Sequence, residues 1–310
     1  MKRFMNILYI LDTEPAQETQ VITAVQNLAR QNDASVRIVR VLEDTIIDSV
    51  GKQFSNRIQT LVDMERKHAG QELEQVLAQP GWQGIVTSGE VLIGKDFITV
   101  IRKVLEEEHD LVVKARCTTE ITDQFAMRLF RKCPCPVWII STATNQPGET
   151  VIGAVDLAGT EKESQQLNRK IVELTSSLAQ IEQREAHFVH AWHLQYETSM
   201  RGPRFQVGDK EIDAMKQEIV ATRSAAFSQL FADAGITVND NQIHLVEGPP
   251  ATVIKQQLQS LQGNILVMGT VARSGLPGLL LGNKAEEVLS QVICTVMAVK
   301  PNGFVSPVTL

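Results

Sequence analysis

The order of short apolar runs in the first half of the chain returns in the second, and this duplication constrains the fold more than any other feature. Ile7-Leu8-Tyr9-Ile10-Leu11-Asp12 is an apolar run that stops on an acid. Val151-Ile152-Gly153-Ala154-Val155-Asp156 is another, about 145 residues further on. Behind each lie a helical pattern, a second strand, a long helical connection, a third strand with a glycine-bearing turn, a further helix and two more apolar runs. In the first half the later strands read as Val36 to Val41, Ile85 to Thr87, Leu111 to Val113 and Val137 to Ile140. In the second half they read as His187 to Trp192, Ile243 to Val246, Ile265 to Met268 and Val296 to Val299. Each match is short, so the shared order carries the inference. The period is too long for a solenoid and suits a domain copied once.

Buried strands alternating with helices predict an α/β fold. Two tandem Rossmann-like domains are expected, each a five-stranded parallel sheet wrapped by helices through right-handed crossovers. Helical spacing agrees at Val21, Val25 and Leu28, at Ile98, Ile101 and Leu105, and at Leu167, Ile171, Leu174, Leu178 and Ile181. A polar helix from about residue 49 to 77 is predicted to turn Ile58, Leu61, Val62, Leu73 and Val76 inward, and Thr160 with Glu163 forms a capping box. The polar stretch Ser141 to Glu149, with Pro147 and Gly148, reads as the linker, giving domains at 1-144 and 149-310. Ligands of such sheets bind beyond the carboxyl ends of the strands, where strand order reverses. Asp156 and Gly269 both stand at such ends.

Composition narrows the function. A formal net charge of −6 argues against broad contact with nucleic acid, which needs a concentrated basic surface. No apolar run approaches the roughly 18 residues of a membrane span, and the N-terminal MKRFMNILYILD reads as a first strand rather than a signal peptide. Cys117, Cys133, Cys135 and Cys294 show no disulfide-framework spacing, which fits a reducing cytoplasm. Cys133-Pro-Cys135 resembles half a metal site whose other half is missing, so the plainer reading is two thiols beside a strand. His187 and His193 face one side of their strand and His190 the other, so they do not converge on a metal. No metal site and no catalytic constellation are expected: there is no nucleophile elbow, no Walker lysine and no convincing acid pair.

One stretch does suggest chemistry. The run Ile265 to Met268 stops at Gly269, and a loop holding Gly275, Gly278 and Gly282 leads into a helical pattern. Glycines reach positive φ and let a ligand approach the backbone, and N–H groups at a helix start can hold an anion. A plain turn is the alternative. The first half has no counterpart, because no glycine lies between Gly94 and Gly148 and its connection from Val113 to Val137 is shorter.

On these residues the chain resembles the universal stress protein family in its tandem-domain form, over essentially its full length. That resemblance implies an adenine nucleotide alpha hydrolase-like fold. The family's signature is a glycine, two residues, a glycine, nine residues, then glycine followed by Ser or Thr. Here Gly269 and Gly282 fit, while Ala272 replaces the middle glycine and Asn283 the hydroxyl residue. Carried over by position, the resemblance implies Val155 and Asp156 at the adenine edge and Ala191 in the base pocket. Met268, Gly269 and Ala272 would lie along ribose and phosphates, with Gly282, Asn283 and Lys284 on the phosphates. ATP or AMP is the implied ligand, in the second domain only. Asp12 would persist as a structural acid in a first domain without a phosphate loop, and Arg116, Arg128 and Arg131 read as solvated surface cations.

The implied function is a cytoplasmic stress-response factor that binds an adenine nucleotide or related small molecule without strong catalysis. The alternatives are a scaffold or sensor for a lipid-like or sugar-phosphate ligand, and a slow ATPase. The resemblance also implies that Val137 to Ile140 and Val296 to Val299 pair within the chain as a pseudo-dimer; a homodimer beyond it is left open. Tyr196 to Asp209 is either a lid or an irregular connection.

Overall fold

The computed structural model describes residues 3–43, 55–116, 123–142, 148–159, 161–270 and 282–310, with side chains in 55–59 left aside. The first repeat runs β1 (Asn6–Ile10), α1 (Thr19–Asn32), β2 (Ser35–Leu42), α2 (Ser55–Leu77), β3 (Thr87–Ile93), α3 (Asp96–Glu106), β4 (Leu111–Arg116), α4 (Gln124–Lys132) and β5 (Val137–Ser141). The second runs β6 (Thr150–Ala154), α5 (Lys162–Glu182), β7 (Glu185–Trp192), α6 (Glu197–Arg201), α7 (Asp209–Ala234), β8 (Ile243–Glu247), α8 (Pro250–Ser260), β9 (Gly263–Gly269), α9 (Asn283–Leu289) and β10 (Thr295–Val299).

Two compact units result. One gathers the described residues up to 142 together with 293–310, and the other gathers 148–270 with 282–292. In the first unit β1 to β5 are all parallel, in the order β3-β2-β1-β4-β5. The central strand is fully covered: Ile7, Leu8 and Tyr9 are 0% exposed, as a strand with helices on both faces must be. β10 joins this unit by pairing antiparallel with β5, Val296 opposite Ile139 and Ala298 opposite Val137, which is the pairing the resemblance implies.

In the second unit the parallel order is β9-β6-β7-β8. Its core stacks three rings, with Phe188 edge-on to Phe231 at 4.9 Å and Phe231 against Phe227 at 5.6 Å. Burying each ring contributes roughly 1.5–3 kcal/mol, enough to hold the C-terminal half of α7 on the sheet. α7 buries Ile212, Phe227, Leu230 and Phe231, and Gly235 ends it in the left-handed region at φ 65°.

One turn is made twice. Gly94 after β3 and Gly248 after β8 sit at φ +146° and +147°. Their N–H groups donate to Leu42 O at 3.0 Å and Trp192 O at 2.8 Å, tying each third strand's exit to the strand beside it. A side chain is strained at such φ, so glycine here is a backbone requirement.

Local expectations are corrected in three places. β3 starts at Thr87, not Ile85; Val86 is 77% exposed, and Gly89 lies within the strand with Leu77 of α2 crowding the space a Cβ would take. Leu61 of α2 is 54% exposed, because the face that meets the sheet is set by Ala69, Leu73 and Val76 near the helix end. α3 turns Phe97, Val100, Ile101 and Val104 inward, a face centred one step away from Ile98 and Leu105.

Candidate functional site

Strand order reverses between β6 and β9, so the crevice of the second unit opens at their carboxyl ends. Val155 is buried and its N–H donates to Val189 O at 3.0 Å, extending the β6–β7 pairing by one residue. The next peptide is clamped by Asn168 of α5, itself buried: the Asp156 N–H donates to Asn168 Oδ1 at 3.0 Å, and Asn168 Nδ2 donates to Asp156 O at 2.8 Å. Asp156 Oδ1 accepts from the Ala158 N–H at 3.2 Å, which fixes the carboxylate over its own turn.

His190 of β7 is buried behind this turn. Its Nδ1 lies 3.0 Å from Val155 O and 3.3 Å from the Leu157 N–H, so each tautomer satisfies one of the two contacts. Arg223 of α7 donates to Leu157 O at 2.8 Å. Residues 155–158 are thus held from β7, α5 and α7, the support a binding edge needs.

The remaining expected residues divide into those the structure brings together and those it leaves out. Ala191 is half-buried near the end of β7, opposite Val246. Met268 is buried on β9 and pairs with Ala154 of β6. Gly269 closes β9; it is absent from the positive-φ residues, and a Cβ there would come within 2.8 Å of Leu167 Cδ2, which rotation of that leucine would relieve. Gly282 has φ −61° and ψ 136°, so it too does without the left-handed region. Its N–H donates to Thr270 O at 2.9 Å, pinning the ends of the loop together. Thr270 is 0% exposed, and its Oγ1 has no hydrogen-bond partner among the described residues. Asn283 and Lys284 begin α9 and are exposed. Ala272, Gly275, Gly278 and the capping residue Thr160 lie outside the described residues.

The corresponding place in the first unit is filled. Lys114 pairs with Ile10 as Met268 pairs with Ala154, so lysine occupies the methionine's position. It is 2% exposed and donates to Asp12 Oδ2, Asp123 Oδ2 and Ala115 O at 2.8, 2.8 and 2.9 Å. Burial alone would push its ammonium down, but the two carboxylates outweigh that and hold its pKa above the usual lysine value. Arg40 of β2 stands at the register position of His190; it donates to Leu11 O and Thr13 O at 2.9 and 3.1 Å and pairs with Glu72 at 3.2 Å. Glu18, fully buried, takes the role of Asn168, accepting from the Asp12 and Thr13 N–H groups and the Tyr9 hydroxyl at 2.8, 2.6 and 2.6 Å. Burial pushes its carboxyl up despite those donors.

Sequence reasoning ended β4 at Val113 and so missed Lys114 as an internal residue. The signal was available: a lone lysine in register with Met268 of the other repeat. Arg116 is likewise no surface cation, being 4% exposed with Nη2 donating to Cys294 O at 3.1 Å. Arg128 is partly covered, 3.5 Å from Asp96 and stacked over Phe97. Away from the crevice, His187 Nδ1 meets His244 Nε2 at 2.9 Å with the rings stacked, and burial, followed by the neighbouring His187 ring, pushes His244 down. No cluster of three metal-ligating side chains occurs among the described residues. The connection from Tyr196 to Asp209 carries the short helix α6, where Arg201 ties Glu197 to Asp209, and it exposes Tyr196 by 76% and Phe205 by 61%.

A parallel sheet in this order, built once from each repeat with its strand order reversing between the first and fourth strands, defines a Rossmann-like α/β protein carrying two tandem domains. The chain belongs to the universal stress protein family, whose sequence model matches residues 3–141 and 149–300. It is 32% identical over 223 residues to universal stress protein E of Escherichia coli strain K12, covering 70% of this chain and 68% of that one. Universal stress protein E of Photorhabdus laumondii is 25% identical over 327 residues, covering 99% and 98%. The crystal structure of a candidate universal stress protein from Pseudomonas aeruginosa UCBPP-PA14 shares the fold, with a TM-score of 0.70 at 22% identity over 98% of this chain and 95% of that one.

Proposed function

We propose that the second repeat binds one adenine nucleotide, ATP or AMP, in the crevice between β6 and β9. In this reading the protein is a cytoplasmic stress-response factor that acts through its bound state and not through turnover. The observation that carries the reading is the contrast at one register position. Where the first repeat fills the strand end with Lys114 bridging Asp12 and Asp123, the second places the apolar thioether of Met268.

Asp156 and the Val155 backbone would meet the adenine edge, with Ala191 lining the base. Met268, Gly269 and Ala272 would follow ribose and phosphates toward Gly282, Asn283 and Lys284. The one carboxylate of that set, Asp156, would lie at the adenine edge and away from the phosphates, so the chemistry the set supports is recognition.

Mass spectrometry of gently extracted protein tests the reading. An adenine nucleotide retained by the wild type and lost from Gly282→Trp supports it. A second reading is favoured by the exposed Tyr196 and Phe205, whose apolar faces suit a lipid-like ligand; recovery of such a molecule, or of a sugar phosphate, would replace the nucleotide assignment. Steady release of ADP from ATP would replace binding by slow hydrolysis.

A further inference from the structure

The Cys133-Pro-Cys135 turn joins α4 to β5, and nothing in the nucleotide site uses it. Cys133 closes α4, its N–H donating to Leu129 O at 2.9 Å, and is 0% exposed; Cys135 is 8% exposed. Their sulfurs lie 3.5 Å apart in an S–H···S contact. A disulfide needs about 2.05 Å, so closure asks the sulfurs to move together by about 1.5 Å within one turn. The same turn holds a buried cation: Lys300, 2% exposed, donates to Phe130 O and Arg131 O at 2.5 and 3.3 Å, in the last turn before Cys133. Burial pushes the lysine down to about 8, opposed in part by its nearness to Cys133. The contact with Cys133, followed by burial, pushes the Cys135 thiol up, and either sulfur can donate across it. Cys294, a single thiol on a different segment that burial pushes to about 12, serves as the internal reference.

We propose that Cys133 and Cys135 are a redox-active dithiol that hydrogen peroxide converts reversibly to an intrachain disulfide. The Cys133 sulfur attacks one peroxide oxygen; an S–O bond forms, the O–O bond breaks, and the departing oxygen takes up the thiol's proton and leaves as water. The Cys135 sulfur then attacks the Cys133 sulfenic sulfur. An S–S bond forms, the S–O bond breaks, and hydroxide leaves as water with the second thiol proton. Two thiols lose two electrons, and the peroxide gains them.

The test treats the full chain with hydrogen peroxide, alkylates the remaining thiols and digests with trypsin, which releases a fragment beginning at Cys133. The expected result is a fragment lighter by two hydrogens that resists alkylation and becomes doubly alkylated after dithiothreitol, with Cys294 alkylated throughout. Cys135→Ser should instead stop at a Cys133 sulfenic acid that dimedone traps. A wild-type fragment that stays doubly alkylated while Cys117 or methionines are already oxidised would overturn the proposal. So would irreversible oxygen addition without the disulfide.

Discussion

Replacing Lys114 with methionine copies the second repeat's residue into the first and removes the cation from a buried cluster. Breaking one partner out of a buried ion pair costs about 3–5 kcal/mol. The cost here is reduced because the Asp12 side chain is 37% exposed and can be rehydrated. Asp123, at 15%, has less access to water and also caps α4 through the Ala126 N–H at 2.9 Å. About 2–3 kcal/mol is therefore expected, or a fall of roughly 5–10 °C in the melting temperature of a unit this size. Near-ultraviolet circular dichroism would follow the melt, and amide hydrogen exchange at β1 and β4 would place the loss in the first unit. The folded pKa of Lys114 is raised, so its contribution is complete below the ordinary lysine value of 10.5 and is lost as pH rises through the higher folded value. The variant and the wild type should accordingly differ by a constant amount at neutral pH and converge only in strong alkali. Adding Asp12→Asn to Lys114→Met should recover part of the loss. A variant that melts with the wild type, or a loss confined to the second unit, would refute the idea that Lys114 closes the first crevice.

Other perturbations test separate links. Gly94→Ala should destabilise by about 1–3 kcal/mol in a denaturant titration, because its φ is +146° and the new methyl would meet Thr99 Oγ1 at 2.7 Å. Phe188→Ala, at a residue 0% exposed and edge-on to Phe231, should cost about 3–5 kcal/mol in the second unit. For Lys300 the sign is opposite to Lys114: its folded pKa is lowered to about 8 from 10.5, so between those values the unfolded chain holds the proton and the folded chain does not. Wild-type stability should then rise relative to Lys300→Met across that window, by up to about 3 kcal/mol, as paired pH-dependent melts would show.

Much of this architecture is readable from residue order. The repeated run ending in Asp12 and Asp156 gives the central strands, and the turns at Gly94 and Gly248 were visible as glycines after the third strand. The helix spacings at Val21, Val25 and Leu28 translate directly into buried faces. What resisted reading is polar residues that belong inside. Lys114 and Arg116 look like the start of a loop because burial of a cation depends on partners far away in sequence, and no local pattern announces Asp12 or the Cys294 carbonyl. The edge strand β3 misleads for a related reason: pairing on one side only, it needs few apolar residues, and its start at Thr87 is fixed by its register with Val36. Of the candidate site the pattern gives chain positions: Asp156 follows β6, Met268 and Gly269 end β9, and Gly282 precedes α9. The reasons differ at the glycines, where neither Gly269 nor Gly282 uses left-handed backbone.

We infer one nucleotide site per chain, at the strand end where Met268 replaces the other repeat's lysine. Isothermal titration calorimetry of ATP and AMP into wild type and Met268→Lys tests it most directly. The expected result is saturable heat at one site per chain in the wild type, lost in Met268→Lys while the fold is retained. No heat from either nucleotide at millimolar concentration, or binding that survives in Met268→Lys, would contradict it.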